Sequence, residues 1–409
     1  MKPEKITRIM KDNFFVHTSG TPEEMKVAEY LRDCCLETGV QAWIEPFPVE
    51  MAKVHEAHLF LDGEEVPCKG YKLCGSGEVE APFLYLPDTD KMSLSRVKGK
   101  IVMLDTGMGR FLYQDLLDQG AVGFITYDGN ILFADEDIDH KELRPHVSLG
   151  NKILGVNINA KTARRIVEMA PATARITVKQ DEFEGESRNT VAEIPGETEE
   201  CIVLSAHYDT TPLSRGSYDN LTGCIGLLGV MERMMELKPH YSLRFVFCGS
   251  EERGLLGSKA YVKAHKDELD KVLLNINLDM IGTYMGRFIA CVSAEEKLVH
   301  YIEYMAAELG FGIKARNGVY SSDSTPFADA GVPALSFARL APPSQSTIHT
   351  RYDVTELVSP EQMLRDISFI SAFTERMACA AFCPVSRDMP DSVKKELDEY
   401  LLRKRKDAK

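Results

Sequence analysis

The chain has 409 residues, ten cysteines and a formal net charge of -14 at pH 7. Apolar residues make up 44% and charged residues 27%, which are ordinary values for a globular protein and exclude the disordered and collagen-like classes. Because a negative surface repels phosphate backbones, we expect no nucleic-acid partner. The length predicts two or three domains.

The cellular location is predicted by three features of the sequence. The N-terminal stretch carries charges within its apolar runs and has no small-residue cleavage site, so we expect no secretory signal. No apolar run approaches the roughly 18 residues that span a bilayer, so we expect no membrane partner. The cysteines are scattered without a paired framework, which is typical of reduced thiols. We therefore predict a cytoplasmic protein.

The first elements in chain order are a helix and an extended segment. Apolar residues at helical spacing predict a helix over 23–39, opened at Thr21 and closed by Gly39. The residues 41–49 read as extended. From 51 to 185 the pattern changes to shorter strands and turns, which we interpret as a smaller, β-rich α/β module inserted into the main domain. Its predicted elements are a strand at 101–104, a helix near 112–117 and a strand at 122–127.

After residue 185, short apolar runs alternate with helical stretches, a pattern typical of a parallel α/β sheet. The predicted strands are 201–206, 243–248, 273–278 and 334–338. The predicted helices are 221–237, 254–265 and 298–309. We therefore predict an α/β fold in which residues 1–50 and 186–385 form a mostly parallel or mixed central sheet flanked by helices. A charged tail is expected over 386–409, helix-like over 392–409, and we interpret the basic run 403–406 near its end as a solvated terminus.

Potential metal ligands stand after three of these strands. His207 follows the first, Glu252 lies in the loop after the second, and Asp279 follows the third. The carboxyl ends of parallel strands meet at one edge, where open α/β sheets build their sites. Asp219, before a predicted helix, and His349, in a late loop, add two more ligand types. Each alone has an ordinary explanation, such as helix capping for Asp219, but together they predict one site.

The chemistry of these residues suits a pair of divalent cations, because several anionic ligands are needed to offset the repulsion between ions about 3.5 to 4 Å apart. Imidazole nitrogens favour zinc, with cobalt or manganese as alternatives. The ions lower the pKa of a bound water, whose proton then needs an acceptor. Glu251, beside Glu252, is the candidate for this general base. Asp209, two residues after His207, is placed to accept a hydrogen bond from the second nitrogen of that imidazole.

Five segments carry a family resemblance: SAHYDT, YDNLTG, VFCGSEERGLLGS, INLDMIG and IHTRYD. In order and spacing, over about 186 to 370, they resemble the di-zinc exopeptidase family that includes bacterial leucyl aminopeptidase and glutamate carboxypeptidase II. The resemblance implies a phosphorylase/hydrolase-like fold of the zinc exopeptidase type. It implies that His207 and Asp279 bind one metal, that Glu252 and His349 bind the other, and that Asp219 bridges them.

The same resemblance assigns the remaining roles at the site. It makes Glu251 the general base and implies a cis peptide bond after Asp219. The segment that begins at Tyr320 is similar to the family's loop that polarises the substrate carbonyl, so Tyr320 is the candidate oxyanion donor. The module at 51–185 resembles a protease-associated domain through VKGKIVMLDTG, QGAVGFITYDGN and ILGVNINAKTARRIV. Such a module is expected to restrict substrates to peptide ends.

The function implied by the resemblance is that of a peptide-hydrolysing exopeptidase, and we expect an aminopeptidase. A carboxypeptidase or dipeptidase would use the same two metals, and no pocket residue decides between these enzymes. A glutaminyl-cyclase-like enzyme would use one metal, whereas both His207 and Asp279 are kept here. A catalytically inactive binding module is the alternative of another class. The sequence leaves the oligomeric state open, a homodimer included.

Overall fold

The computed structural model describes residues 1–342 and 348–405. The chain divides into two compact units: the larger combines Met1–Val49 with Glu186–Lys409, and the smaller is Glu50–Gly185. The two ends of the smaller unit meet, because a Cβ atom on Gly185 would lie 2.6 Å from Met51 Cγ. Among the described residues, every helix is too short or too polar to span a bilayer.

The larger unit is built on a mixed sheet flanked by helices, which confirms the predicted fold class. In spatial order its strands are Lys314–Asn317, Arg287–Ser293, Ala334–Leu340, Val272–Leu278, Cys201–His207, Ser242–Cys248 and the 190–194 end of Thr173–Ile194. The four strands from Ala334–Leu340 to Ser242–Cys248 run parallel, and the strands on either side of them are antiparallel. The carboxyl ends of the four parallel strands therefore lie along one edge.

Alternate residues of the central strands face two different cores. Ile202 and Leu204 belong to one hydrophobic cluster and Val203 belongs to another, as the two-residue period of a strand requires. Burial on both faces explains why these strands read as continuous apolar runs. The helices of the first core are Pro3–Asp12, Pro22–Glu37, Thr222–Met234, Glu296–Glu308 and Pro360–Ala378. Those of the second core are Leu256–Ala264, Ser324–Asp329 and Asp391–Tyr400.

The predicted N-terminal helix forms over Pro22–Glu37, where Thr21 Oγ1 accepts the N–H of Glu24 at 3.2 Å. Thr21 thus caps the helix, as the sequence predicted. Part of the segment predicted to be helix-like at the C-terminal end forms a helix, over Asp391–Tyr400. Helix Asp391–Tyr400 buries Val393 and Leu397 in the second core, because apolar side chains recur at helical spacing among the charged ones. Residues 406–409 of that tail lie outside the described residues.

The smaller unit has its own sheet and its own core. Its parallel strands are, in order, Gly77–Leu86, Ile101–Leu104, Gly123–Asp128 and Leu154–Asn159. Antiparallel pairs are added by Lys69–Gly70, by the 173–178 part of Thr173–Ile194, and between Glu64–Val66 and the end of Gln41–Leu61. Its helices are Lys91–Leu94, Arg110–Asp118, Pro145–Ser148 and Ala160–Met169. Its hydrophobic cluster is drawn from this unit alone. The likeness to a protease-associated domain stays a prediction.

Candidate metal centre

Two candidate ligands stand at the carboxyl ends of neighbouring parallel strands. His207 is the last residue of Cys201–His207, and Asp279 directly follows Val272–Leu278. These two strands pair with each other, so their ends lie side by side. Both side chains are buried, and His207 Nε2 lies 3.7 Å from Asp279 Oδ1.

Asp219 lies between the two histidines. Its Oδ1 is 3.2 Å from His207 Nε2, and its Oδ2 is 3.0 Å from His349 Nε2. Glu252 Oε2 is 3.2 Å from the same nitrogen of His349. Two sets of potential ligand atoms result, each within 4.8 Å of one another: His207–Asp219–Asp279 and Asp219–Glu252–His349. The structure thus brings together all five side chains that the sequence nominated, with Asp219 common to both sets.

The backbone around these residues takes uncommon conformations. The peptide bond between Asp219 and Asn220 is cis, as the family resemblance predicted. Met280, directly after Asp279, has a φ of 62°, and His349 has a φ of 61°. The left-handed region is costly for a residue that carries a Cβ, so it persists where surrounding contacts determine it.

Asp353 positions Asp219 and was not predicted. Its carboxylate accepts the main-chain N–H of Tyr218 at 2.7 Å and that of Asp219 at 3.1 Å. It is fully buried. Asp353 follows His349 by four residues in the IHTRYD segment, and this proximity was the only sequence signal that could have indicated it.

Asn220 connects the turn that carries Asp219 to the strand that precedes Asp279. Its side-chain amide donates to the carbonyl of Leu278 at 3.0 Å and accepts from the N–H of Met280 at 2.9 Å. The two hydrogen bonds therefore hold the backbone on both sides of Asp279. Asn220 therefore fixes the backbone of one candidate ligand relative to another, although it contributes no ligand atom itself.

Asp209 lies at the site, but its carboxylate has other partners than the predicted one. Its two oxygens accept the main-chain N–H groups of Glu251 at 2.8 Å and Glu252 at 3.2 Å. His207 Nδ1 is 3.7 Å from the nearer carboxylate oxygen, beyond hydrogen-bond distance, and 3.3 Å from the Asp209 main-chain carbonyl. The two N–H groups occupy the carboxylate, so Asp209 holds the Glu251–Glu252 loop instead of the imidazole.

The cluster carries surplus negative charge. Burial opposes the charged form of His207, but nearby carboxylates, Glu251 foremost, raise the pKa of this imidazole well above its ordinary value. Against the same opposition by burial, Asp219 and Glu252 raise the pKa of His349 to about 11. Burial, with neighbouring carboxylates, raises the pKa of Glu251 well above its ordinary value and that of Glu252 to about 7. The pocket therefore favours added positive charge.

The donor set fits divalent cations. Asp279 Oδ1 is buried and accepts no hydrogen bond within the described part of the chain. A buried carboxylate oxygen without a hydrogen bond is costly, and a bound cation would remove that cost. Imidazole nitrogens and carboxylate oxygens are also the ligands of zinc in hydrolytic sites. The positions of the five side chains, their surplus negative charge and their ligand atoms therefore all fit divalent cations.

Tyr320 lies near this acidic cluster. Burial raises the pKa of its phenol well above its ordinary value, and the charges of Asp279 and Asp219 add to the rise, so the hydroxyl keeps its proton. The Tyr320 carbonyl accepts from Thr325 Oγ1 and from the N–H of Ser322, each at 2.8 Å, which fixes the turn that carries the ring. A role for Tyr320 at a substrate carbonyl stays a prediction.

Residues 189–374 match the model of Peptidase family M28. The matched segment holds all five clustered side chains together with Glu251. Over this segment the chain is similar to Peptidase family M28, and the resemblance carried by the five sequence motifs is confirmed at the level of the family.

Two curated relatives and one solved structure are similar to the chain. Aminopeptidase YwaD from Bacillus subtilis is 28% identical over 208 residues, which cover 48% of this chain and 44% of YwaD. The probable lipoprotein aminopeptidase LpqL from Mycobacterium tuberculosis is 26% identical over 304 residues, which cover 68% of this chain and 57% of LpqL. The chain thus spans about half the length of these relatives. BSAP, a zinc aminopeptidase from Bacillus subtilis, shares the fold with a TM-score of 0.75 at 22% identity, covering 91% and 93% of the two chains.

Proposed function

We propose that the protein is a metal-dependent exopeptidase of the aminopeptidase type, which removes N-terminal residues from peptides. The observation that carries this proposal is the position of Asp219, whose two oxygens face His207 and His349 at 3.2 and 3.0 Å. A carboxylate with one oxygen toward each of two ligand sets is what a pair of cations needs. The names of YwaD and LpqL as aminopeptidases, and of BSAP as a zinc aminopeptidase, support the reaction and the metal.

Two divalent ions, zinc by preference, are part of the proposal, with cobalt or manganese as alternatives. The residues that would hold them are His207 and Asp279 for one, Glu252 and His349 for the other, and Asp219 for both. Bound there, the ions supply Lewis acidity and a water of lowered pKa.

Glu251 is the candidate for proton transfer. Its main-chain N–H donates to Asp209 Oδ1 at 2.8 Å, and this hydrogen bond fixes the position of the Glu251 backbone. A carboxyl with a raised pKa can accept a proton from an attacking water and return it to the leaving amine. Tyr320, whose phenol keeps its proton, is the candidate donor of a hydrogen bond to the substrate carbonyl.

Peptides with free or blocked termini test this proposal on the metal-loaded protein. We expect hydrolysis of aminoacyl and peptide substrates that have a free N-terminal amine, and no hydrolysis of the same substrates when the amine is acetylated. Cleavage of blocked peptides from the carboxyl end would indicate a carboxypeptidase, and cleavage of dipeptides alone would indicate a dipeptidase. Inertness toward all of these substrates would favour the binding module and overturn the proposal.

The number of ions is tested by stepwise refilling. Metal-free protein is prepared with a chelator and titrated with zinc while activity and bound zinc are followed together. We expect full activity to require two equivalents, because two ligand sets share Asp219. Full activity with one equivalent, and no binding of a second, would contradict the two-ion proposal.

A further inference from the structure

A row of buried hydroxyl groups lies beneath the Glu251–Glu252 loop and ends on a buried carboxylate. Ser19 Oγ lies 2.5 Å from Ser250 Oγ. Ser250 Oγ donates to Ser187 Oγ at 2.7 Å, and Ser187 Oγ donates to Glu24 Oε1 at 2.6 Å. All four side chains are buried. These four residues, Ser19, Ser250, Ser187 and Glu24, are called the serine chain below.

We propose that the serine chain is a positioning device that sets the orientation of Glu251 and Glu252, and that Glu24 and Ser187 influence the reaction through it. The inference rests on the proposed function, in which Glu251 is the base and Glu252 is a metal ligand. Ser250 directly precedes Glu251, and its hydroxyl joins this loop to the rest of the serine chain.

The carboxylate at one end gives the serine chain a direction. A hydroxyl has one proton to donate, whereas a carboxylate that is ionised, as that of Glu24 is above about pH 7, only accepts. Ser187 gives its proton to Glu24, so the oxygen of Ser187 accepts from Ser250. The oxygen of Ser250 is then left to accept from Ser19, and Arg253 Nη1 lies 3.4 Å from Ser19 Oγ at the far end. The hydrogen bonds thus run in one direction, from the Arg253 guanidinium to the Glu24 carboxylate. This direction selects one orientation of the Ser250 hydroxyl.

The Glu251–Glu252 loop needs contacts that hold it in place, because the backbone at its start has a costly conformation. Ser250 has a φ of 57°, in the left-handed region that is costly for a residue with a Cβ. The preceding residue, Gly249, has no room for a side chain: a Cβ there would lie 2.8 Å from Glu24 Oε1 and 2.9 Å from Ser187 Oγ. Gly249 therefore lies against Glu24 and Ser187, and the next residue, Ser250, is part of the serine chain.

The other side of the loop is held by Asp209, which accepts the N–H groups of Glu251 and Glu252. Asp209 thus anchors the main chain of the residues that follow Ser250. The serine chain anchors the residue before them through its side chain. With both anchors in place, the directions in which the Glu251 and Glu252 side chains leave the backbone are fixed.

A positioning role also explains the buried charge of Glu24. Burying a carboxylate is costly unless its charge is compensated. Its partners, besides Ser187, are the N–H of Gly20 at 2.7 Å and Arg188 Nη1 at 3.6 Å. The other buried positions of helix Pro22–Glu37 carry apolar side chains or thiols, so the packing of the helix itself does not require an acid.

The test compares four variants of the full-length protein. Ser187→Ala and Glu24→Ala break the serine chain, whereas Glu24→Gln keeps an oxygen that can accept from Ser187. Thr38→Ala is the matched control, because it removes a hydroxyl that donates to the Cys35 carbonyl at 2.7 Å, at the other end of the same helix and away from the serine chain. The readouts are kcat and KM on a free-amine substrate, and the affinity of metal-free protein for Co²⁺, followed by visible absorption.

We expect Ser187→Ala and Glu24→Ala to lower kcat by about tenfold or more, with KM within about twofold, and to weaken binding of one cobalt ion by a similar factor. Glu24→Gln should recover most of both losses. Thr38→Ala should lower the melting temperature and change neither readout.

Two results would overturn the proposal. One is wild-type kcat and cobalt affinity in both Ser187→Ala and Glu24→Ala. The other is an equal loss in Thr38→Ala, because general destabilisation would then explain the effect. If the wild-type protein hydrolyses no substrate, the proposed function fails, but the cobalt titration still decides whether the serine chain orients Glu252. Should Glu24→Ala not fold, Ser187→Ala carries the test, since it removes a single hydroxyl.

Discussion

Glu251 and Glu252 are adjacent in the chain and have different proposed roles, so matched substitutions can separate them. Glu251→Gln removes the proton acceptor and keeps the shape of the side chain. We expect kcat to fall by about two orders of magnitude or more with the metal content unchanged. Glu252→Gln is the comparison, in which activity and metal content should fall together. The measurements are steady-state kinetics and elemental analysis, and loss of metal from Glu251→Gln would contradict its role as base.

Glu24 gives the protein a predictable dependence on pH. Burial, with the nearby charge of Asp209, raises its pKa from 4.5 to about 7 in the folded state. Between these two values the folded protein holds a proton that the unfolded chain has lost. The stability that Glu24 contributes is therefore complete below about 4.5 and is lost as the pH rises through about 7. The full change is about 3 kcal/mol at most.

The check uses Glu24→Gln, which cannot titrate. The free energy of unfolding of metal-free protein is measured by urea denaturation from about pH 5 to about pH 8. Relative to Glu24→Gln, the wild-type protein should lose stability from about pH 5 to about pH 7 and then level off. A constant difference between the two proteins would show that Glu24 ionises normally in the folded state.

At the scale of elements, helix Thr222–Met234 lies close to the sheet because it has glycines on its inner side. A Cβ on Gly223 would lie 2.5 Å from the carbonyl oxygen of Leu278, and one on Gly226 would lie 2.6 Å from Leu278 Cδ2. A methyl group can move by a rotation of its side chain. The carbonyl is part of the backbone that leads into Asp279, so it cannot move without the candidate ligand.

This difference predicts unequal costs for two similar substitutions. Gly226→Ala should lower the free energy of unfolding by about 1–3 kcal/mol, as overpacking usually does. Gly223→Ala should cost more than Gly226→Ala and should also weaken metal binding. Gly312→Ala is the control, because a Cβ there meets open space, and it should be neutral or slightly stabilising. Urea denaturation measures all three, and equal losses at Gly223 and Gly226 would contradict the prediction.

The elements that carry the candidate ligands were the most predictable. Strands Cys201–His207 and Val272–Leu278 lie within one residue of their predicted bounds, because buried parallel strands read as short apolar runs. Strand Thr173–Ile194 was missed, since its charged middle is exposed and shows no alternation. Helix Pro360–Ala378 was also missed, although Ser359 caps its start and a proline follows, which are ordinary start signals.

The supporting residues of the site could not be predicted from local sequence. Glu24 and its partner Ser187 are 163 residues apart, and Asp353 and its partner Tyr218 are 135 apart. No periodic pattern connects such residues, and only the folded chain brings them together. Asp209 is a further example. Its spacing from His207 predicted a hydrogen bond to that imidazole, whereas its carboxylate accepts the N–H of Glu251, 42 residues away.

At the scale of the whole molecule, the smaller unit is expected to fold by itself. Its hydrophobic cluster is drawn from its own residues, and its ends meet at Met51 and Gly185. We expect the isolated segment 50–185 to show helical and strand circular dichroism and one cooperative thermal transition. A shorter segment, 50–170, lacks the strand that pairs with Gly77–Leu86 and should not fold. A segment 50–185 that stays unfolded or aggregates would contradict independence.

Two expectations for the whole molecule stay predictions. One is the cytoplasmic location, which fractionation of expressing cells would test. The other is the restriction of substrates to peptide ends by the module at 51–185. Deleting 51–185 should relax the selection of substrates by size if the remaining protein folds, and unchanged selectivity in a folded deletion variant would contradict the idea.

The discontinuity of the larger unit has a consequence for the order of events on the ribosome. Met1–Val49 emerges before the rest of the larger unit, yet helix Pro22–Glu37 packs in a core whose central strands lie beyond Glu186. Nascent domains generally fold as units as they emerge, so Glu50–Gly185 can complete its structure while that helix still waits. Val27 and Leu31, buried in the finished protein, stay exposed for that interval. The length of the insert therefore sets how long this apolar helix face is exposed before its core can form.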